Sequence, residues 1–362
     1  MLLNFLNMAQ QATTICADIR KAISEAVGNH PSSDIFILTD DNTLKYCYPA
    51  IADLACIADS HMITIPAGDE NKHIDSVVSI WNYLSEHGAN RKSLLINLGG
   101  GMITDIGGFV AATFKRGIKY INISTTLLGA VDAATGGKTG INFLGYKNEI
   151  GAFYPAEAVL IDTLFFKTLD AENIRSGYAE MIKHALIHSL DEWQKIISFD
   201  MQKVNFDLLR TLVDSSIRIK EGVVEQDPKE QNIRKALNLG HTFAHAFESF
   251  SHRVGRPVLH GYAVVWGLLC ELYLSQLKWQ FPEKYLQELK EIIQHYYGYF
   301  SIESSDYQEL YELMTHDKKN ESEAINFTLL SDIGKIQINQ TASKQEIFHV
   351  LDYYSSVSKS SI

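Results

Sequence analysis

Apolar and polar positions follow two different rhythms along this chain, and the change comes near residue 171. In the first part, short apolar runs at 34–39, 61–66, 93–98, 120–124 and 158–162 read as buried strands. Between them, 74–86 is amphipathic with a helical period, and a further helix is expected from about 104 to 113. Strands alternating with helices predict an α/β domain whose Rossmann-like sheet is largely parallel, with helices on both faces. From 171 onward, helical periodicity runs through 171–188, 203–223, 233–250, 260–278 and 283–296. Strand signals return only at 324–330 and 335–338. The chain thus reads as two domains, 1–170 and 171–362, the second mainly α-helical. The serine-rich tail from Ser355 is expected to be disordered.

Ligands in parallel sheets bind beyond the carboxyl ends of the strands. At those ends the chain carries Asp40-Asp41-Asn42, Gly68 to Lys72, Gly99-Gly100-Gly101 and Thr125-Thr126. Glycines let backbone N–H groups approach a pyrophosphate, and the N-terminus of the following helix favours its charge. The triple glycine is not the GxGxxG fingerprint, since Met102 follows it and Gly107-Gly108 come too late. Alone it fits a tight turn equally well. Asp40 and Asn42 are placed to hold a ribose, and Thr125 and Thr126 to meet ribose or phosphate. The GGKTG at 136–140 nearly matches a P-loop, but the motif's first position is not a glycine. The segment also does not lead from a strand into a clean helix, so the P-loop reading fails. Lys138 and Asn148 in this polar region remain able to hold an anionic substrate.

The densest chemistry lies in 234–245. Read as a helix, this stretch puts Arg234, Asn238, His241 and His245 on one stripe. Its flanks carry Ala236, Leu237, Leu239, Phe243 and Phe247, which is the reverse of a solvated helix face. Buried charges need partners or a ligand, so the stripe points to a metal or anion site. Two histidines four apart on a helix can reach one ion. His260 follows in Leu259-His260-Gly261, and Glu180 shares a helical face with Lys183 upstream. A His-His-Glu set with one open position is what catalytic zinc needs.

The formal net charge of −11 argues against nucleic acid as a partner and makes any cationic cluster local. Four scattered cysteines form no CxxC, which fits a reducing cytoplasm and excludes a disulfide framework. The N-terminus lacks a basic segment and a long apolar segment, so no signal peptide is expected. No apolar run is long enough for a membrane span.

Several long motifs in order then point to one family. They are GDENK (68–72), GGGMITDIGGF (99–109), FKRGI around Arg116, STTLLGAVDAATGGKTGIN (124–142), KNEIGAFY (147–154), SGYAEMIKHALI (176–187), DPKEQNIRKALNLGHTFAHAFE (227–248), LHGYAV (259–264) and DKKN (317–320). Over about 35–340 the chain resembles the 3-dehydroquinate synthases, sugar-phosphate cyclases of the shikimate pathway. The resemblance implies the dehydroquinate-synthase-like fold and the second step of aromatic amino-acid biosynthesis. In that step 3-deoxy-D-arabino-heptulosonate 7-phosphate becomes 3-dehydroquinate and phosphate. A hydroxyl is transiently oxidised with bound NAD, phosphate leaves, the ketone is re-reduced, and an intramolecular aldol step closes the carbocycle.

By motif position the resemblance assigns Glu180, His241 and His260 to one divalent metal, Zn2+ or Co2+. It gives His245 and Glu230 to proton transfer. Arg116, Lys138, Lys183, Lys220, Arg234 and Lys318 would meet the substrate's phosphate and carboxylate, and Asp132, Asn148 and Asn238 its hydroxyls. Of Lys318 and Lys319, Lys318 is expected to face the substrate. The same resemblance points NAD to Asp40, Asn42, Asp69, Lys72, Gly100, Gly101, Asp105, Thr125, Thr126, Lys138, Lys147, Phe165 and Thr168. It also implies a cytoplasmic homodimer. Four positions depart from the family pattern: Tyr262 replaces a common glutamate or glutamine, Ala244 a glycine, Asp69 a glutamate and Ser124 a proline. Tyr262 is expected to alter the surroundings of the metal. The rivals are a paralogous cyclase of the 2-epi-5-epi-valiolone or 2-deoxy-scyllo-inosose type and, more remotely, a metal-dependent alcohol dehydrogenase. Retention of Lys220, Arg234, Asn238 and His245 together favours the dehydroquinate reading.

Overall fold

The structure is a computed structural model that describes residues 12–134, 136–144, 146–228, 230–315 and 325–360. The chain divides into two compact units, Met1–Asp170 and Ala171–Ile362. The N-terminal unit runs β1 (Ala12–Ile15), α1 (Ile19–Val27), β2 (Ile35–Asp40), α2 (Asp41–Tyr46), β3 (His61–Ile65), α3 (Ile74–Glu86), β4 (Leu94–Gly99), α4 (Gly101–Thr113), β5 (Lys119–Ser124), β6 (Lys138–Phe143), β7 (Tyr146–Phe153), β8 (Ala158–Ile161) and α5 (Thr163–Phe166). Six of these strands form one sheet in the order β1-β8-β5-β4-β2-β3. Every pairing in it is parallel. Strands β2 and β4 are buried at every position, as strands covered on both faces must be.

After β2 the chain crosses to β3 on one side, and after β4 it crosses to β5 on the other. The carboxyl ends of β2 and β4 therefore flank a topological switch point, where such sheets form a ligand crevice. Asp40 and the glycine turn lie at these two ends. Helix α2 starts directly on Asp40, whose carboxylate accepts the Thr43 N–H at 2.8 Å while the Thr43 hydroxyl receives the Asp40 N–H at 2.9 Å.

Two segments differ from the pattern-based reading. Strand β1, which the hydrophobic pattern does not signal, pairs with β8 at the sheet edge. The polar, glycine-rich stretch, in which no strand is predicted, is an antiparallel hairpin of β6 and β7. Its largely exposed β7 residues carry no buried apolar alternation to read.

The second unit contains α6 (Ala171–His188), α7 (Leu190–Ile197), α8 (Phe206–Gln226), α9 (His241–Arg253), α10 (His260–Trp279), α11 (Glu283–Ile292), α12 (Tyr307–Thr315), the hairpin β9 (Asn326–Asp332) and β10 (Lys335–Thr341), and α13 (Lys344–Ser360). Helix α10 is buried on nearly every side and packs against α6, α9, α13 and β9. The continuous helix expected over 233–250 is interrupted. Ile233–Asn238 forms a tight 3-10 turn, Gly240 adopts φ +83°, and α9 begins only at His241. As far as the described residues reach, the tail expected to be disordered from Ser355 is the end of α13, with Ser355 and Ser358 buried. No described helix is long and apolar enough to cross a membrane.

Candidate active site

Three side chains of the helical unit converge from three helices. Glu180 comes from the middle of α6, and His241 and His260 are the first residues of α9 and α10. The Nε2 atoms of both histidines lie 3.4 Å from Oε1 of Glu180. Their nearest ligand atoms all lie within 4.8 Å of one another. Tetrahedral bonds of about 2.0–2.1 Å to one ion would separate adjacent donors by about 3.4 Å, so this set fits a divalent metal. Oε1 of Glu180, the oxygen turned toward both histidines, is buried without a well-formed hydrogen bond, a state that a cation would relieve. Burial alone would push the Glu180 carboxyl up, but Lys183, in direct ion-pair contact, and His241 hold it well below the carboxylate range.

The two histidines of this set are fixed from behind. His260 Nδ1 sits 3.2 Å from the buried carboxylate of Glu248 on α9. Burial works against its imidazolium, yet Glu248 and Glu180 outweigh burial and raise His260 to about 10. His241 Nδ1 lies 3.1 Å from the Leu239 carbonyl, which selects the tautomer that leaves Nε2 as the donor to a metal. Of the two histidines on the α9 stripe, it is His241 that converges with Glu180 and His260. His245 stands half-buried one turn on, with ring centroids 5.5 Å from His241 and 6.5 Å from His260.

Buried cations stand in the same unit: Lys183 on α6, Lys220 on α8 and Arg234 in the 3-10 turn. Asp227 organises that turn by accepting the N–H groups of Gln231 at 3.0 Å, Asn232 at 2.6 Å and Arg234 at 3.1 Å. Burial opposes its ionisation, but these N–H donors and Arg234 hold the carboxyl below its usual range. The Arg234 guanidinium donates to the Pro228 carbonyl at 2.7 Å. Asn238 donates to Glu230 at 2.9 Å, so these two expected site residues form one polar unit. Lys318 lies outside the described residues. Tyr262 points into an aromatic cluster with Trp266 and Tyr297, at centroid distances of 6.2 and 5.1 Å.

In the N-terminal unit, the glycine turn opens α4 at the end of β4. A Cβ at Gly100 would sit 2.8 Å from Thr126 Cγ2, and one at Gly101 would sit 3.0 Å from Ala133. Thr126 in turn receives the Gly129 N–H at 3.0 Å, which fixes the π-helical turn carrying Asp132. Lys72 is buried between Asp105 and Asn148, each at 2.5 Å. Lys147 pairs with Asp69 at 3.3 Å, and Asn142 donates to both the carbonyl and the carboxylate of Asp69. These contacts dock the hairpin on the Gly68–Lys72 segment. Asn42 and Lys138 are exposed.

Thr168 donates to the Phe165 carbonyl at 2.7 Å, and the Phe165 side chain lies in the hydrophobic core. Only its main chain is left to meet a ligand. Arg116 is not brought to this group: it stands exposed before β5, at the amino ends of the strands, opposite the glycine turn. The residues that sequence reasoning missed are Asp227, Glu248 and Glu271. Each is an acid in or beside an apolar helical stretch, a signal comparable to the histidines that were singled out.

A family model described as 3-dehydroquinate synthase N-terminal matches residues 62–176, and one described as 3-dehydroquinate synthase C-terminal matches 177–320. A curated 3-dehydroquinate synthase of Parabacteroides distasonis is 50% identical over 347 residues, covering 96% of this chain and 98% of that protein. Among solved structures, 2-epi-5-epi-valiolone synthase from Streptomyces hygroscopicus, with NAD+ and Zn2+ bound, superposes with a TM-score of 0.85 at 21% identity, covering 98% of this chain and 99% of that one. A 2-deoxy-scyllo-inosose synthase complexed with carbaglucose-6-phosphate, NAD+ and Co2+ gives 0.80 at 22% identity, covering 94% and 95%. Those two likenesses establish the fold, while the family models and the curated relative, spanning nearly the whole chain, establish membership: the chain belongs to the 3-dehydroquinate synthase family.

Proposed function

We propose that this chain converts 3-deoxy-D-arabino-heptulosonate 7-phosphate to 3-dehydroquinate and phosphate as a cytoplasmic homodimer. In this reading 1–170 is the NAD-binding domain and 171–362 the metal- and substrate-binding domain. The carrying observation is the convergence of His241 and His260, each 3.4 Å from the Glu180 carboxylate, in a unit that also buries Lys183, Lys220 and Arg234. When bound, NAD supplies a hydride acceptor and donor, and Zn2+ or Co2+ held by Glu180, His241 and His260 supplies a Lewis acid for the hydroxyl being oxidised.

The chain's own residues do the rest. Lys183, Lys220, Arg234 and Lys318 bind and orient the phosphate and carboxylate, and they stabilise negative charge as phosphate departs. Lys183 also offsets the charge of Glu180, so the buried carboxylate stays ionised at its post. His245, beside the metal set, holds and moves a proton during elimination. Glu230 and Asn238 act as a pair that orients a hydroxyl and passes a proton. Asp132, Lys138 and Asn148 serve the remaining polar groups of the substrate, and Arg116 its phosphate. For NAD, Asp40 and Asn42 suit a ribose beside the switch point, and Gly100 and Gly101 a pyrophosphate. Asp69, Lys72, Asp105, Thr125, Thr126, Lys138, Lys147, Phe165 and Thr168 complete that set.

The two cyclase structures, which hold NAD+ with Zn2+ or Co2+, support the cofactor assignment. The 50% identical relative supports the substrate over that of a paralogous cyclase. The test is incubation of the purified protein with this substrate, catalytic NAD and zinc. Equal amounts of phosphate and dehydroquinate are expected. Phosphate release only from another seven-carbon sugar phosphate or from a hexose phosphate would instead make it a paralogous cyclase. Size-exclusion chromatography with light scattering tests the dimer, and a monomeric mass would remove it.

A further inference from the structure

Helices α9 and α10 each begin with a metal-facing histidine, and α10 also grips the turn from which His241 springs. The grip has two parts, one helical turn apart. Gly267 packs so closely on Gly240 that a Cβ there would collide with the Gly240 carbonyl oxygen. Glu271, fully buried, then places its carboxylate over the start of α9. Its Oε2 accepts the Gly240 N–H at 2.6 Å, and its Oε1 accepts the Thr242 N–H at 3.0 Å. These donors flank His241. The first N–H groups of a helix have no partner within it, and a side chain at the preceding position normally answers them. Gly240 has no side chain to do so. It cannot gain one cheaply either, since its φ is +83° and a Cβ would lie 2.8 Å from Leu268 Cδ2.

We propose that Glu271 is a positioning residue for the metal centre, supplying from α10 the cap that α9 lacks and so fixing the direction of His241. The carboxylate also offsets the positive end of the α9 dipole, which would otherwise face a cation held by His241. One helix thereby sets both histidines: His260 as its own first residue, and His241 through Glu271. The inference rests on the proposed assignment of Glu180, His241 and His260 to a divalent metal.

The experiment is zinc affinity of metal-free protein, measured by competition with a chromophoric chelator, alongside thermal melting of the same metal-free samples. Parent protein must first bind one zinc per chain; if it binds none, the metal assignment itself fails. In Glu271→Gln the amide can accept from one N–H group but points a donor at the other. Zinc binding is then expected to weaken by about tenfold to a hundredfold, with a shift in the absorption bands of the Co2+-loaded protein. Glu271→Asp keeps the charge one methylene short and should weaken zinc less. It answers the question with the same readout if Glu271→Gln does not fold. A merely structural Glu271 would lower the melting temperature of the metal-free protein and leave zinc affinity and the Co2+ spectrum unchanged. Affinity within about twofold of the parent in a folded variant overturns the proposal.

Discussion

The two candidate sites are built from opposite materials. In the N-terminal unit the glycine turn after β4 offers main-chain groups at the carboxyl ends of the strands, and the polar residues around it are already paired with one another: Lys72 with Asp105 and Asn148, Lys147 with Asp69. In the helical unit the site is made of buried side chains whose charges converge, with Glu180 fully buried among two histidines and a lysine. The first arrangement costs little and suits a ligand held by shape and hydrogen bonds. The second concentrates charge in a largely buried site, which stabilises a fold poorly but favours a metal ion and charge-changing chemistry.

That contrast can be broken most severely at Glu180. Glu180→Gln removes the one carboxylate shared by both histidines. We expect turnover to fall by roughly a thousandfold, about 4 kcal/mol of lost Lewis-acid assistance, together with loss of bound zinc measured by elemental analysis. Zinc retention with near-parental turnover would remove the metal from its assigned place. A change in the other unit should act on a different ligand. Lys72→Met takes the ammonium from between Asp105 and Asn148. NAD affinity, measured by fluorescence quenching, should weaken by about tenfold, near 1.4 kcal/mol, while zinc affinity stays at the parental value. A matching loss of zinc would mean that the two sites are not separable in this way.

Smaller effects sharpen the same contrast. Asp227 has a depressed pKa in the folded chain. Its contribution to stability is therefore present above the unfolded carboxyl value of about 3.9 and lost as pH falls through the lower folded value. Asp227→Asn should melt a few degrees below the parent at neutral pH, with the gap closing in acid. A gap that widens in acid would contradict the assignment. The smallest effect is expected at Lys278, whose ion pair with Glu346 is 2.8 Å long but partly exposed. Lys278 is the leading reason the Glu346 carboxyl is held at about 2. Solvent screening discounts that shift, so Lys278→Ala should change stability by less than about 1 kcal/mol in denaturant titration and leave turnover unchanged.

What the chain reveals before folding follows the range of the forces involved. The buried strands β2 and β4, the helix Ile74–Glu86 and the helical run Ala171–His188 are legible because their patterns are local and strongly apolar. The triple glycine and the buried polar stripe are legible because their chemistry clashes with its surroundings. The break at Gly240 is not, because helical periodicity continues across it. What decides the conformation there is contact with Gly267 and Leu268, far along the chain. The end of α13 misleads by composition. Its serines look like a solvated tail, yet the Tyr354 hydroxyl donates to the Phe300 carbonyl at 3.1 Å and Ser355 donates to the Ile302 carbonyl at 3.3 Å. Glu248 and Glu271 escaped notice for a related reason: an acid gains a role only once its helix is set beside another.

The central claim is that nucleotide and metal sites serve one redox-neutral cycle. It is tested most directly by following NADH absorbance while 3-deoxy-D-arabino-heptulosonate 7-phosphate turns over with substoichiometric NAD and one zinc per chain. Phosphate and dehydroquinate are expected in large excess over NAD, with no lasting NADH. NADH accumulating mole for mole with product, and turnover ceasing when NAD is exhausted, would contradict it and make the protein a dehydrogenase.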